Sequence, residues 1–209
     1  MKLYDFEMAP NPRRVRIFMA EKGIEIPTEQ VDLASRAQME DDYKKINPRS
    51  EVPVLELDDG TFLTESSAIC LYFEGLHPEP NLMGTDALER AQSFMWDRRI
   101  ELHGMAAIAD AYRNTSPLFE DRGFTGPINF PQIPELAERG RARTDLYFDT
   151  LNERLSDSPY VAGDRFTIAD ITAMVSVMFA RWIKTGPTDS HSGTNRWWEE
   201  VSARPSAGA

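Results

Sequence analysis

Chemistry-bearing sulfur and imidazole are scarce: the chain of 209 residues holds one cysteine, Cys70, and three histidines, His77, His103 and His191. A lone thiol excludes an intramolecular disulfide and fits a reducing compartment, so the cytoplasm is the expected location. The histidines show no metal-ligand spacing, and no metal site is expected. No stretch approaches the roughly 20 apolar residues that a membrane-crossing helix needs, so no membrane partner is expected. Met1 to Pro10 contains two acids and no long apolar run, unlike a secretory signal. Positive charge is short as well. Lys and Arg number 23 against 34 Asp and Glu, a net charge of −11. General nucleic-acid binding needs clustered cations to neutralise phosphates, and this balance argues against it. The acid excess is not a tail: residues 1–80 carry 9 bases against 16 acids. A small acidic ligand therefore needs local positive groups or backbone donors to be held.

The chain has two textures. Residues 1–80 alternate strand-like and helix-like segments. Met1 to Asp5 alternates as a short strand, and Arg13 to Lys22 reads as a helix with Asn11 as N-cap, Pro12 at its first position and Gly23 beyond its end. Val15, Phe18, Met19 and Lys22 fall on its inner side. A strand is predicted over Thr28 to Leu33 and a short helix over Gln38 to Lys45. Asn47-Pro48-Arg49-Ser50 is turn chemistry. Val54 to Leu57 and Thr61 to Thr64 form a hairpin through Asp58-Asp59-Gly60, and Ser66 to His77 is again a helix. The order is βαβ, a helix, a β-hairpin and a last helix, which is the thioredoxin-like α/β arrangement. His77-Pro78-Glu79-Pro80 cannot continue a helix. A linker is predicted over residues 81–86, and residues 87–209 read as an all-α helical domain. Its helices span Ala87 to about Thr115, Glu135 to about Ser156, Thr167 to Lys184 and Asn195 to Ala203. A loop rich in proline and glycine runs from Pro117 to Pro134.

Two motifs in the first domain carry chemistry. A proline opening a strand, Pro53 in Val52-Pro53, cannot donate to the ladder and belongs at an edge or a strand's start. Glu65-Ser66 follows a strand and opens a helix, whose first turn offers unpaired N–H groups and partial positive charge to a carboxylate. Ser66 adds a hydroxyl, and Glu65 offers a carboxylate to an ammonium. Together they suit an α-amino acid head group. With no ligand present, the same residues read equally as a strand boundary and a helix cap.

The run Asn47-Pro48, Val52-Pro53-Val54-Leu55, Asp59-Gly60, Leu63-Thr64-Glu65-Ser66 and Ile69 closely resembles the glutathione transferase family. Ala9-Pro10-Asn11-Pro12-Arg13-Arg14-Val15-Arg16-Ile17 with Ala20-Glu21-Lys22-Gly23 is similar to a bacterial and fungal branch of it. Phe166-Thr167-Ile168-Ala169-Asp170 resembles the family's capping motif in the core helix of the second domain, with Thr167 as cap and Asp170 reciprocating. The resemblance covers residues 1 to about 184. It implies glutathione as cosubstrate, a cis Val52–Pro53 bond, Val52 pairing with the cysteinyl backbone, and Glu65 and Ser66 on the γ-glutamyl group. Gln38 lies near the expected glycine carboxylate. Glu51 stands where many relatives have Lys or Gln and opposes that carboxylate unless turned away, leaving Arg49 or Lys45 to substitute.

Most relatives activate the thiol with Ser, Tyr or Cys after the first strand, and Glu7 to Pro12 offers none. Asn11 as amide donor, or helix N-terminal N–H groups with a held water, remain as alternatives, with Tyr4 a weaker one. Cys70 is expected in the core. Tyr112, Phe119, Phe124 and Phe130 are candidates for a hydrophobic acceptor site between the domains. Met95 and Trp96 are expected to face a partner in a homodimer, and Trp197-Trp198 to anchor the last helix. Three readings follow: conjugation of the glutathione thiolate to a hydrophobic electrophile, glutathione or protein binding without turnover, and a glutathione-dependent lyase or reductase acting on an aryl ether, disulfide or peroxide.

Overall fold

A computed structural model describes all the residues, Met1–Ala209. The chain divides into two compact units, the first comprising Met1–Pro80 with Thr125–Asn129 and Gly208–Ala209, the second Asn81–Phe124 with Phe130–Ala207.

In the first unit, β1 (Lys2–Asp5), β2 (Thr28–Gln30), β3 (Val54–Glu56) and β4 (Phe62–Thr64) form one sheet in the order β2-β1-β3-β4. β1 runs parallel to β2 and antiparallel to β3, and β3 pairs antiparallel with β4. Leu3 lies opposite Leu55 and Tyr4 opposite Val54. Because successive strand side chains alternate, these pairs face opposite sides of the sheet. On the Tyr4–Val54 side, Val31 and Tyr43 complete a buried cluster against which Leu33, Ala37, Ile46 and Val52 pack. Tyr43 and Ile46 come from α2 (Asp41–Ile46), which follows a single tight turn at Ala37–Met39. α1 (Pro10–Glu21) and α3 (Ser66–Leu76) pack on one another.

α1 begins earlier than the sequence suggests. Its N-cap is Ala9, whose carbonyl accepts from the Arg13 N–H at 3.2 Å, and Pro10 occupies the first turn. Asn11 is therefore inside the helix, not its cap. Proline's fixed φ favours the first helical position, and Pro10 claims it before Pro12 can. The hairpin turn forms as expected: Gly60, at φ +84, donates to Leu57 and the Asp59 carboxylate accepts from the Thr61 N–H. The Lys22 ammonium, its side chain fully buried, bonds Glu74 at 2.7 Å and the carbonyls of His77 and Pro80 at 2.7 and 2.8 Å. It thus ties the end of α1 to α3 and to the chain leaving it.

The second unit is helical: α4 (Ala87–Ile100), α5 (Ala106–Arg113), α6 (Pro134–Ser156), α7 (Ile168–Ala180) and α8 (Ser192–Ser202). One continuous helix was predicted over α4 and α5; a wider π-type turn, Glu101–Met105, joins them. Gly104 lies in that turn, and a Cβ there would come within 2.8 Å of the Tyr147 ring. Every residue of α7 except Met178 is buried, as befits a helix apolar all round. Its start carries the capping box: the Thr167 side chain accepts from the helix and Asp170 bonds the Thr167 N–H. Asp170 also accepts from the Val161 N–H and from Trp197 Nε1, both at 2.9 Å, so the cap anchors α8 as well. Residues 81–86 take part in this unit. The Leu82 carbonyl accepts from Ile168, and Arg165 bonds Asn81 and Glu89. No helix is long and apolar enough to cross a membrane.

Candidate functional site

The first unit gathers its candidate residues at the starts of α1 and α3 and at the entry to β3. The Val52–Pro53 peptide is cis, as the resemblance implied. Val52 is half-buried, and none of the backbone pairings of turns and loops uses its N–H or C=O. Those two groups lie just before the β3 ladder begins at Val54, where an extended peptide can pair with them.

Glu65 caps α3 with φ +69 and ψ 123, outside the ordinary regions for a residue bearing a Cβ. Such a conformation costs about 1–3 kcal/mol and persists where the surroundings impose it. The Glu65 side chain makes no capping bond to the helix it precedes and stays exposed. The first-turn N–H groups of α3 are correspondingly left without a side-chain acceptor.

Ser66 is buried, and its hydroxyl donates to the Asn11 carbonyl at 3.0 Å. Its proton is committed within the protein, which leaves the Ser66 backbone N–H and the hydroxyl lone pairs for other contacts. Asn11, exposed in the first turn of α1, takes a long 3.5 Å bond at Oδ1 from Arg14 Nη1. The same guanidinium, only 4% exposed, donates to Ser67 Oγ at 2.9 Å. Arg14 and Ser67 were not among the residues singled out from the sequence. The run of three arginines in residues 13–16 contained the signal, but nothing local shows which of them turns inward.

At the other end, Gln38 is 8% exposed and its Oε1 finds no partner within the protein; the buried Ser50 hydroxyl, on a backbone at φ +55, finds none either. Buried polar atoms are normally satisfied, so the two orphans, in the turns before and after α2, are groups to which something else can bond. Arg49 Nε pairs with the Glu51 carboxylate at 3.2 Å, which neutralises the charge expected to repel an anion there. Lys45 is bound to Asp42 on the exposed side of α2. Tyr4 donates its hydroxyl to Glu56 at 2.9 Å and is spent as a thiol activator. Cys70 is buried.

In the second unit the predicted aromatics separate into two groups. Tyr112 and Phe119 stack edge to face at 5.2 Å and join Phe179 and Trp182, whose centroids lie 5.9 and 5.1 Å from Tyr112. Phe124 and Phe130 pair with each other at 6.3 Å, both exposed. Phe179 and Trp182 were missed because about 70 residues separate them from Tyr112. Their own spacing, one helical turn apart at the end of α7, was the only local sign. No group of three His, Cys, Asp or Glu is placed to hold a metal ion.

Comparison with known proteins agrees with this layout. Residues 9–76 match the family model described as glutathione S-transferase, N-terminal domain, and residues 104–205 its C-terminal domain. Glutathione S-transferase 2 of Saccharomyces cerevisiae is 32% identical over 211 residues, spanning 99% of this chain and 87% of the relative. A glutathione S-transferase domain-containing protein from Marinobacter aquaeolei superposes with a TM-score of 0.90 at 35% identity, covering 99% of both chains. Yeast Gtt2 superposes with the same score at 29% identity, over 100% of this chain and 99% of its own. With both halves of the family's pattern present and relatives matched over nearly their full length, the chain belongs to the glutathione S-transferase family of enzymes.

Proposed function

We propose that the protein binds glutathione in the first unit and transfers its thiolate to a hydrophobic electrophile. The observation that carries this reading is Glu65: a carboxylate held at a strained backbone position, making no cap to the helix it precedes. Strain that serves no contact within the fold points to a ligand. The γ-glutamyl ammonium meets Glu65, and its carboxylate meets the first-turn N–H groups of α3 at Ser66. Val52 pairs with the cysteinyl backbone beside Pro53. Gln38 and Ser50 supply the free polar groups for the glycine end, where Arg49 neutralises Glu51.

The Asn11 amide, in the first turn of α1, donates to the thiolate, assisted by the Asn11 backbone N–H, because Pro10 and Pro12 have none and the Arg13 N–H is bonded to Ala9. Catalysis is then thiolate stabilisation and proximity. The acceptor is an apolar, aromatic-compatible electrophile, for which Tyr112, Phe119, Phe124 and Phe130 supply the surface, with the exposed Trp182 ring packed against Tyr112.

The protein works as a cytoplasmic homodimer in this proposal. Support for association comes from the second unit, where a cavity of about 350 Å³ between α4 and α6 is lined by Trp96, Tyr147 and Leu146, with Leu146 65% exposed. Sedimentation of wild type and Leu146→Glu tests it; a monomeric wild type at micromolar concentration refutes it. The catalytic claim is tested by titrating glutathione and following thiolate absorbance against pH. Binding with the thiol titrating as in free glutathione refutes the transferase reading in favour of a binding module.

A further inference from the structure

The first turns of α1 and α3 are joined by two side-chain bonds, and a third contact lies within α1. Ser66 Oγ donates to the Asn11 carbonyl at 3.0 Å, Arg14 Nη2 donates to Ser67 Oγ at 2.9 Å, and Arg14 Nη1 reaches Asn11 Oδ1 at 3.5 Å. Arg14 is 4% exposed. Burying a guanidinium costs several kcal/mol unless its donors are met, so its place beneath two helix starts is not casual. A guanidinium has donors only, so the long Arg14 contact favours the Asn11 orientation with its oxygen toward Arg14 and its NH2 group away from it. Fixed in that sense the amide is a donor to whatever lies beyond it. Flipped, it presents an acceptor and repels a thiolate.

We propose that Arg14 is a positioning residue for thiol activation, locking the Asn11 carboxamide with its NH2 toward the glutathione sulfur while Ser67 locks the guanidinium. The inference rests on the function proposed above. Since Ser66 and Ser67 belong to the γ-glutamyl-binding turn of α3, the group that receives one end of glutathione also braces the group that receives its sulfur. The joint makes one rigid receptor of two helix starts.

The test compares Arg14→Lys, Ser67→Ala, Asn11→Ala and the Asn11→Ala/Arg14→Lys pair in the full-length protein. Thiolate absorbance of the glutathione complex is followed against pH, together with turnover of a dinitrohaloarene. Lysine keeps the charge but cannot span Asn11 and Ser67 as the planar fork does. Arg14→Lys is expected to raise the midpoint of thiol ionisation by about one pH unit, a tenfold loss on the acidic limb with the alkaline plateau kept. Ser67→Ala should move the midpoint the same way by less, and it serves if Arg14→Lys does not fold. The pair should match Asn11→Ala alone, because the amide is the route by which Arg14 acts. A purely structural arginine lowers rate equally at every pH and adds to Asn11→Ala. A depressed wild-type midpoint that survives both Arg14→Lys and Ser67→Ala overturns this inference and leaves the transferase reading standing. A wild-type complex whose thiol titrates like free glutathione overturns both.

Discussion

Replacing Asp170 with alanine is expected to destabilise the protein by about 3 kcal/mol at pH 7, and by more in acid. The fully buried carboxylate accepts from the Val161 N–H, the Thr167 N–H and Trp197 Nε1, each at 2.9 Å, and from the Thr167 hydroxyl at 3.2 Å. Alanine leaves three buried N–H donors unpaired, at about 1–3 kcal/mol each, or about 6 kcal/mol at the middle of that range. Against this stands the relief of a buried charge. Burial pushes the Asp170 carboxyl from its ordinary 3.8 up to about 6, even with those donors around it. That gap corresponds to about 3 kcal/mol of penalty on the ionised form at pH 7. The net loss is the difference.

The pH dependence gives the sharper test. With a folded-state value above the unfolded one, the native protein holds the Asp170 proton more tightly between about pH 6 and pH 3.8. Stability from this group is fully present below the unfolded value and is lost as pH rises through about 6. The difference in urea-unfolding free energy between wild type and Asp170→Ala should therefore widen on going from pH 7 to pH 5. A difference that narrows on acidification shows the carboxylate to be held ionised by its donors, and the reasoning fails.

Glu65→Ala should weaken glutathione binding about 10- to 100-fold, the worth of a charge-assisted bond to the ammonium; calorimetry showing unchanged affinity removes the proposed site. Lys22→Ala strands Glu74, 2.7 Å away, and two carbonyls, and should cost about 3–5 kcal/mol in urea unfolding, whereas Lys22→Met should cost less. A loss below about 1 kcal/mol in Lys22→Ala contradicts the ion-pair account. At Gly140, a Cβ would sit 2.6 Å from the Ala111 nitrogen and 2.7 Å from the Ala107 carbonyl. Gly140→Ala should therefore cost about 1–3 kcal/mol by forcing α5 and α6 apart; a neutral or stabilising change refutes the close approach.

The succession of strands and helices in residues 1–80 and the helical character of residues 87–209 were legible because local signals agreed with one another. Asp59-Gly60 specified the hairpin, the alternation in β1 matched its two buried faces, and Thr167 and Asp170 announced a helix start. Misses arose where a distant contact decided. Asn11 lost the cap to Ala9 because Pro10 already fits the first turn, a competition between two good signals two residues apart. The π-type turn at Glu101–Met105 has no local mark beyond Gly104, whose role depends on the Tyr147 ring lying against it from α6. The network that fixes the end of β1 was equally hidden. There Asp5, 1% exposed, bonds Arg16 at 2.6 Å and Gln30 at 2.8 Å, joining three elements that only the fold brings together.

The candidate site divides along the same line. The γ-glutamyl and cysteinyl ends rest on contiguous pairs, Glu65-Ser66 and Val52-Pro53, whose chemistry is local: a helix start and the entry to a strand. Thiol activation is different, since an amide is a weak group whose effect depends on which of its two ends faces the sulfur. Nothing in Pro10-Asn11-Pro12 decides that orientation. On the proposal above Arg14 does, because a donor-only guanidinium selects the amide oxygen, and Arg14 is itself bonded to Ser67 on another helix. A chain without a hydroxyl or thiol after its first strand can thus still present a directed donor there, provided that the two helix starts are braced against each other. On the proposal above, what answers for the missing side chain is a contact pair rather than a single position.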